Sequence, residues 1–213
     1  MTTKEIISKL EGMPEGALIT NLNRYDFGFM LNTLNTFRAA YIRETYSKKH
    51  RLNPVLYQKV YPRWERDLKE DCFTQFRFPI PISLDAASDG IRYVGTISGA
   101  HGFIRVYSRQ ALSDFNNHAI LNTANERNTY YLFDGNRGLM EIRGKHWNTK
   151  ELMGEVIVAD PTSVETFNIL KDEYPLDTDG INHVESAIFA AQTRISEATM
   201  PTLAFTPGVA VKK

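Results

Sequence analysis

Apolar positions repeat with two different periods, and the change of period divides the chain. Residues 3–11 read as a short amphipathic helix stopped by Gly12 and Pro14. Between Arg24 and His50, Phe27, Met30, Leu34, Phe37 and Tyr41 recur at spacings of 3, 4, 3 and 4. That spacing predicts one apolar stripe on a long helix, with Asn23 as its N-cap. Asn32, Asn35, Thr36, Arg38 and Arg43 fall off the stripe. At 1.5 Å per residue such a helix is about 40 Å long. Asn53-Pro54 has the form of an N-cap and first helical position, and predicts a second helix running towards Glu70. Pro62 is expected to kink or split it, and its far part, Arg63 to Asp71, is dense in mixed charge, as solvated helix faces are.

From Phe73 the period shortens to two. Phe73–Leu84, Ile91–Ser98 and Phe103–Ser108 alternate like strands, and Pro79 and Pro81 mark the first as an edge strand or extended arm. A short helix is expected over 109–116. Thr129–Phe133 and Leu139–Arg143 flank Asp134-Gly-Asn-Arg-Gly138, a hairpin turn, and Met153–Ala159 completes the set. The helical period returns at about Thr178–Glu197, where Ile181, Val184, Ile188, Ala191 and Ile195 are spaced 3, 4, 3 and 4, with Asp177 and Asp179 at the dipole-favoured start. The expected fold is α+β, with N- and C-terminal helices packed together around a mostly antiparallel central sheet or small barrel. Its parts are a helical region 1–72, a β region 73–160, a returning helix 161–198 and an extended tail 199–213.

Composition narrows the class. The 213 residues are 42% hydrophobic and 23% charged, which excludes wholesale disorder and rod-like proteins. Twenty-five Lys and Arg balance twenty-five Asp and Glu, so coating nucleic acid by bulk electrostatics is excluded. The balance is uneven along the chain. Residues 24–69 hold 10 Lys/Arg and 4 Asp/Glu, a balance of +6; residues 151–213 hold 4 and 10, a balance of −6. Such regions can pair within a molecule or between copies. The single cysteine, Cys72, forms no intrachain disulfide and sits between Asp71 and Phe73, where acids raise a thiol's pKa. The N-terminus lacks the apolar run of a secretory signal, and the uncharged stretch 198–211 holds Pro201 and Pro207, so neither is expected to cross a membrane.

Catalytic patterns are missing. No two of the five histidines stand four apart on one helix, and neither HExxH nor GxSxG occurs. Gly95-Thr-Ile-Ser-Gly99-Ala-His-Gly102 is glycine-spaced but leads into a strand-like run without GK[ST], so it reads as a hairpin loop rather than a phosphate cradle. Asp177-Thr-Asp179-Gly180 shares only a fragment of an EF-hand loop. No enzyme activity and no cofactor are expected. Two alternatives stay open: a cytoplasmic α+β enzyme or ligand-binding domain using His101, His146 and Asp160, and a DNA-binding accessory protein using Arg38 to Lys69.

The order of elements carries a resemblance. Phe76-Arg-Phe-Pro-Ile-Pro-Ile82, Ile91-Arg-Tyr-Val-Gly-Thr-Ile97, Ile157-Val-Ala-Asp-Pro-Thr162 and Phe167-Asn-Ile-Leu-Lys-Asp-Glu-Tyr-Pro-Leu-Asp-Thr-Asp-Gly-Ile181 are the segments that bear it. Over roughly residues 20–197 the chain resembles the head–tail connector or ring proteins of tailed bacteriophages, particularly the portal adaptors of short-tailed, crAss-like phages. The resemblance implies a structural virion protein without catalysis. It would form a ring of about twelve copies beneath the portal, touch other tail or connector rings and surround the DNA channel. Candidate DNA-channel or interface cations are Arg38, Arg43, Lys48, Lys49, Arg51, Arg63 and Arg66. Candidate interface acids are Asp172, Glu173, Asp177, Asp179 and Glu185. Candidate arm residues are Phe76, Phe78, Ile80, Leu203, Phe205 and Val209. On this reading the early cations of one copy lie near the late acids of the next.

Overall fold

The computed structural model describes residues 1–11, 27–68, 73–85, 88–99, 101–108, 128–144 and 151–199. The Asn23 cap, the 109–116 helix, Cys72, His146 and the 200–213 tail lie outside them. The chain is α+β. Among the described residues it has helices α1 (Thr3–Glu11), α2 (Phe27–Lys49) and α3 (Thr178–Thr199) and eight strands. These are β1 (Gln58–Val60), β2 (Arg63–Leu68), β3 (Phe73–Arg77), β4 (Ile91–Thr96), β5 (Ile104–Val106), β6 (Thr129–Asp134), β7 (Leu139–Gly144) and β8 (Leu152–Val156).

The strands form two sheets, ordered β1-β8-β4 and β2-β3-β7-β6-β5. Every pairing is antiparallel except β5 with β6. The expected barrel is not formed, because the strands divide into two separate sheets. Their inner faces share one core: Val94, Leu152 and Val156 from the first meet Phe76, Tyr131, Met140 and Ile142 from the second. A second core lies under the helices, where Met30, Leu34 and Ile42 of α2 pack with Ile6 and Ile7 of α1, Val184 and Ile188 of α3, and Ile82, Ile157 and Tyr174.

The second predicted helix is absent. Asn53 does cap a turn, its side chain accepting from Val55 N–H at 3.1 Å, but the turn is a single 3-10 stretch, Pro54–Leu56. The chain then enters β1 and β2, so strands begin well before residue 73. The mixed charges of Arg63–Asp67 serve across strands rather than along a helix. Arg63 faces Arg77 and Trp64 faces Phe76 in the β2–β3 register, and Arg77 reaches Glu65 at 2.6 Å. Charges and the bulge between Trp64 and Arg66 suit a sheet edge, where they discourage pairing with another chain. The hairpin turn between β6 and β7 and the loop between Gly95 and Gly102 form where the sequence places them.

The buried face of α2 is turned from the predicted stripe. Phe27 is 39% exposed, whereas Asn35 and Arg38 are buried. Asn35 accepts the Tyr174 hydroxyl at 2.7 Å and donates to Asp160 at 2.9 Å. The Arg38 guanidinium donates to the carbonyls of Val158 (2.7 Å), Pro175 (3.0 Å) and Leu56 (3.4 Å). Polar residues can occupy a core face when every buried group finds a partner.

Candidate functional site

A short strap steps from one sheet to the other. After β3, Phe78 N–H donates to Gly138 O at 2.9 Å in the β6–β7 turn; four residues on, Ile82 N–H donates to Ile157 O at 2.8 Å beyond β8. Gly138 has φ +62°, and a Cβ there would stand 3.2 Å from the Phe78 carbonyl oxygen. The Phe78 ring enters the core edge-on to Phe133, with centroids 5.7 Å apart, and lies over Gly154. Pro79 and Pro81 between these anchors have no N–H to offer a neighbouring strand. Ile80 stands out at the crest, 61% exposed.

Beside the strap opens a cleft of about 720 Å³, with Phe78 and Val164 among its apolar lining. Arg43 comes from α2, Tyr61 and Arg63 from the link and start of β2, Arg77 from the end of β3 and Arg137 from the β6–β7 turn. Asp160 and Glu165 are the acids in the wall. Glu65 partners Arg77 and, chiefly through that hydrogen bond, raises the guanidinium above its ordinary pKa. Arg137 lies 3.7 Å from Asp134. Arg43 spends only its Nε, on the Ser83 carbonyl at 3.1 Å. Among the described residues neither Arg43 nor Arg63 has a carboxylate partner. Asp160 is occupied: it accepts from Asn35 and from the backbone and hydroxyl of Thr162. The cleft thus carries uncommitted positive charge over an apolar floor.

Of the cations expected at a surface, Arg43 and Arg63 meet at this cleft. Arg38 does not reach any surface; it is fully buried, and desolvation lowers its pKa while its carbonyl partners hold it. Lys48 bonds Glu44 one helical turn away, Lys49 and Arg51 are exposed, and Arg66 donates to Gln75. The acids are mostly committed within the chain. Asp177 accepts from the Tyr41 hydroxyl, from Gly180 N–H at the start of α3 and from Asn53. Asp172 accepts from Asn168 N–H. Glu185, expected at an interface, is buried against Lys9 at 2.6 Å, which joins α3 to α1. Glu173 and Asp179 are exposed.

The arm expectation fails for Phe76 and Phe78, which are 0% and 2% exposed. β3 lies between β2 and β7 rather than at an edge, so its apolar face is core. Ile80 alone of the first three is free to touch another surface; Leu203, Phe205 and Val209 lie outside the described residues. Arg77 and Arg137 were missed as cleft residues. The inward Phe76 and Phe78 imply an outward Arg77, and the hairpin turn around Arg137 implies exposure, so both were within reach of the pattern.

Among the described residues no three His, Cys, Asp or Glu side chains are placed to hold a metal ion. His101 is exposed and takes part through its carbonyl, which accepts from Thr96 N–H and the Tyr93 hydroxyl. No helix among the described residues is long and apolar enough to cross a membrane. The fold and cleft define an α+β protein with an open, cation-rich surface groove. No family model matches the chain, and no curated protein matches it.

Proposed function

We propose that the chain is a structural virion protein, a ring subunit of the head–tail connector in a short-tailed, crAss-like bacteriophage. It would sit beneath the portal, link capsid to tail, surround the exit channel with passive contact to DNA, and carry out no catalysis. Its place of work would be the virion, after synthesis in the host cytoplasm. The sequence resemblance motivates this reading, and one structural observation supports it. Among the described residues, no Lys or Arg of the basic stretch 24–69 pairs with an Asp or Glu of the acidic stretch 151–213 within one copy; the ion pair that does join the stretches, His183 with Glu44 at 3.8 Å, has the opposite polarity. The Lys/Arg charges of one stretch and the Asp/Glu charges of the other are therefore not paired within the described residues, and exposed Lys49, Arg51, Glu173 and Asp179 remain for neighbours. A closed ring needs two unlike patches of this kind on each subunit.

Mass photometry and negative-stain microscopy of the concentrated protein, alone and with its portal, test the proposal. Rings of about twelve copies, alone or on the portal, are expected. Reversing Lys49 and Arg51 to Glu should weaken them, and reversing Glu173 and Asp179 to Lys in the same chain should restore them. A protein that stays monomeric with portal and tail components present is not a connector subunit.

A further inference from the structure

We infer that the cleft beside the 78–82 strap binds an extended acidic segment of a different protein, one with an apolar side chain between its carboxylates. The inference does not depend on the connector reading. Its first support is charge. Arg43 and Arg63 enter the cleft without a carboxylate, and an Arg fork is suited to bidentate capture of one. The second is the floor. Phe78 and Val164 beneath and exposed Ile80 and Tyr61 at the side offer apolar surface that an ion alone would not use. The third is the strap itself. Its prolines deny a partner strand the N–H groups of a regular ladder, so recognition rests on side chains. The volume, about 720 Å³, suits a few side chains of a peptide.

A nucleic-acid backbone fits less well. The apolar floor gives a phosphodiester nothing, whereas it receives the apolar side chain of a peptide. A second copy of this chain fits less well too, because Tyr174 and Leu176, the large apolar residues between its exposed acids Glu173 and Asp179, are buried.

The test is fluorescence anisotropy of the full chain with three labelled probes: a synthetic repeating Asp-Leu-Glu-Phe peptide, its Asn-Leu-Gln-Phe counterpart and a duplex DNA. The acidic peptide is expected to bind, more weakly as salt rises, and the neutral peptide not to bind. The Arg43→Glu/Arg63→Glu variant should bind the acidic peptide about tenfold or more weakly. Ile80→Asp, at an exposed position where folding is not at risk, should weaken it as well. Lys49→Glu/Arg51→Glu, outside the cleft, should stay within about twofold of the native chain. Circular dichroism melts identify any variant that fails to fold, and Ile80→Asp then decides. The inference is overturned by no binding of the acidic peptide, by equal binding of the neutral one, or by equal losses from cleft and outside reversals. It is also overturned if the cleft arginines instead govern DNA binding or self-association of the chain.

Discussion

Replacing Arg38 with methionine tests the polar heart of the fold. The guanidinium is fully buried and donates to three backbone carbonyls, from Leu56 at the end of the 3-10 turn, Val158 beyond β8 and Pro175 before α3. Its carbon lies 5.7 Å from the centre of the Tyr174 ring. Methionine matches much of the volume and removes a buried charge, whose desolvation costs several kcal/mol. With removable side-chain partners, that exchange is often neutral or favourable. Here the partners are backbone and stay in place. The Val158 and Pro175 carbonyls then lose their donor, at about 1–3 kcal/mol each, while the 3.4 Å Leu56 contact adds little. We expect Arg38→Met to lose about 2–4 kcal/mol net. With a urea m-value of about 2 kcal/mol/M, the unfolding midpoint falls by about 1–2 M. Arg38→Lys should not restore stability, since an ammonium cannot span carbonyls on three segments as a planar fork does. A methionine variant as stable as the native chain, or a lysine variant within about 0.5 kcal/mol of it, would refute the reasoning.

Gly154→Ala places a Cβ 2.7 Å from Cε2 of Phe78, whose ring is confined by Phe133; a loss of about 1–3 kcal/mol is expected in thermal melts, partly recovered by Phe78→Leu. Lys9→Met leaves the buried Glu185 carboxylate without the one partner it has among the described residues, where its Oε1 already has none, and should cost about 1–3 kcal/mol. The Lys9→Met/Glu185→Leu double variant should be more stable than Lys9→Met alone, and a double-mutant cycle by urea titration checks it. Burial pushes the Tyr131 phenol up to about 12 and moves Tyr174 in the same direction. A raised folded pKa keeps its stability below the unfolded value of about 10 and loses it as pH climbs towards the folded one. Ionisation of the buried tyrosines, the part of the tyrosinate absorbance beyond that of exposed residues such as Tyr61 and Tyr107, should therefore accompany unfolding between about pH 10 and 12, and Tyr131→Phe should blunt that dependence.

Where the periodicity of side chains coincided with burial, the sequence was readable. The α3 spacing of Val184 and Ile188 matches their burial, and the Asp134–Gly138 turn closes the hairpin it announces. Reading failed where polar residues do core work or charged residues do strand work. Asn35 and Arg38 look like solvent-facing positions on α2 because a hydrophobicity pattern cannot see the carbonyls of residues 56, 158 and 175 that satisfy them. Arg63–Leu68 has the charge density of a helix face, yet Pro62 blocks a continuing helix and the partners of those charges lie on β3. That pairing is between residues distant in sequence, so i,i+4 counting finds the wrong ones.

The same distinction separates legible from illegible parts of the cleft. Arg43 and Arg63 were singled out as cations, but a list of charges cannot tell which are spent. Arg38, Arg43 and Arg66 have the same side chain and three different fates: one held by buried carbonyls, one bound through Nε alone, one turned to Gln75. Only the two whose charge meets no carboxylate at the cleft, Arg43 and Arg63, can contribute substantially to binding an anion. A guanidinium already paired gives up one interaction to gain another. Reversing Arg77, paired with Glu65, should therefore change partner binding less than reversing Arg63, although both line the same groove.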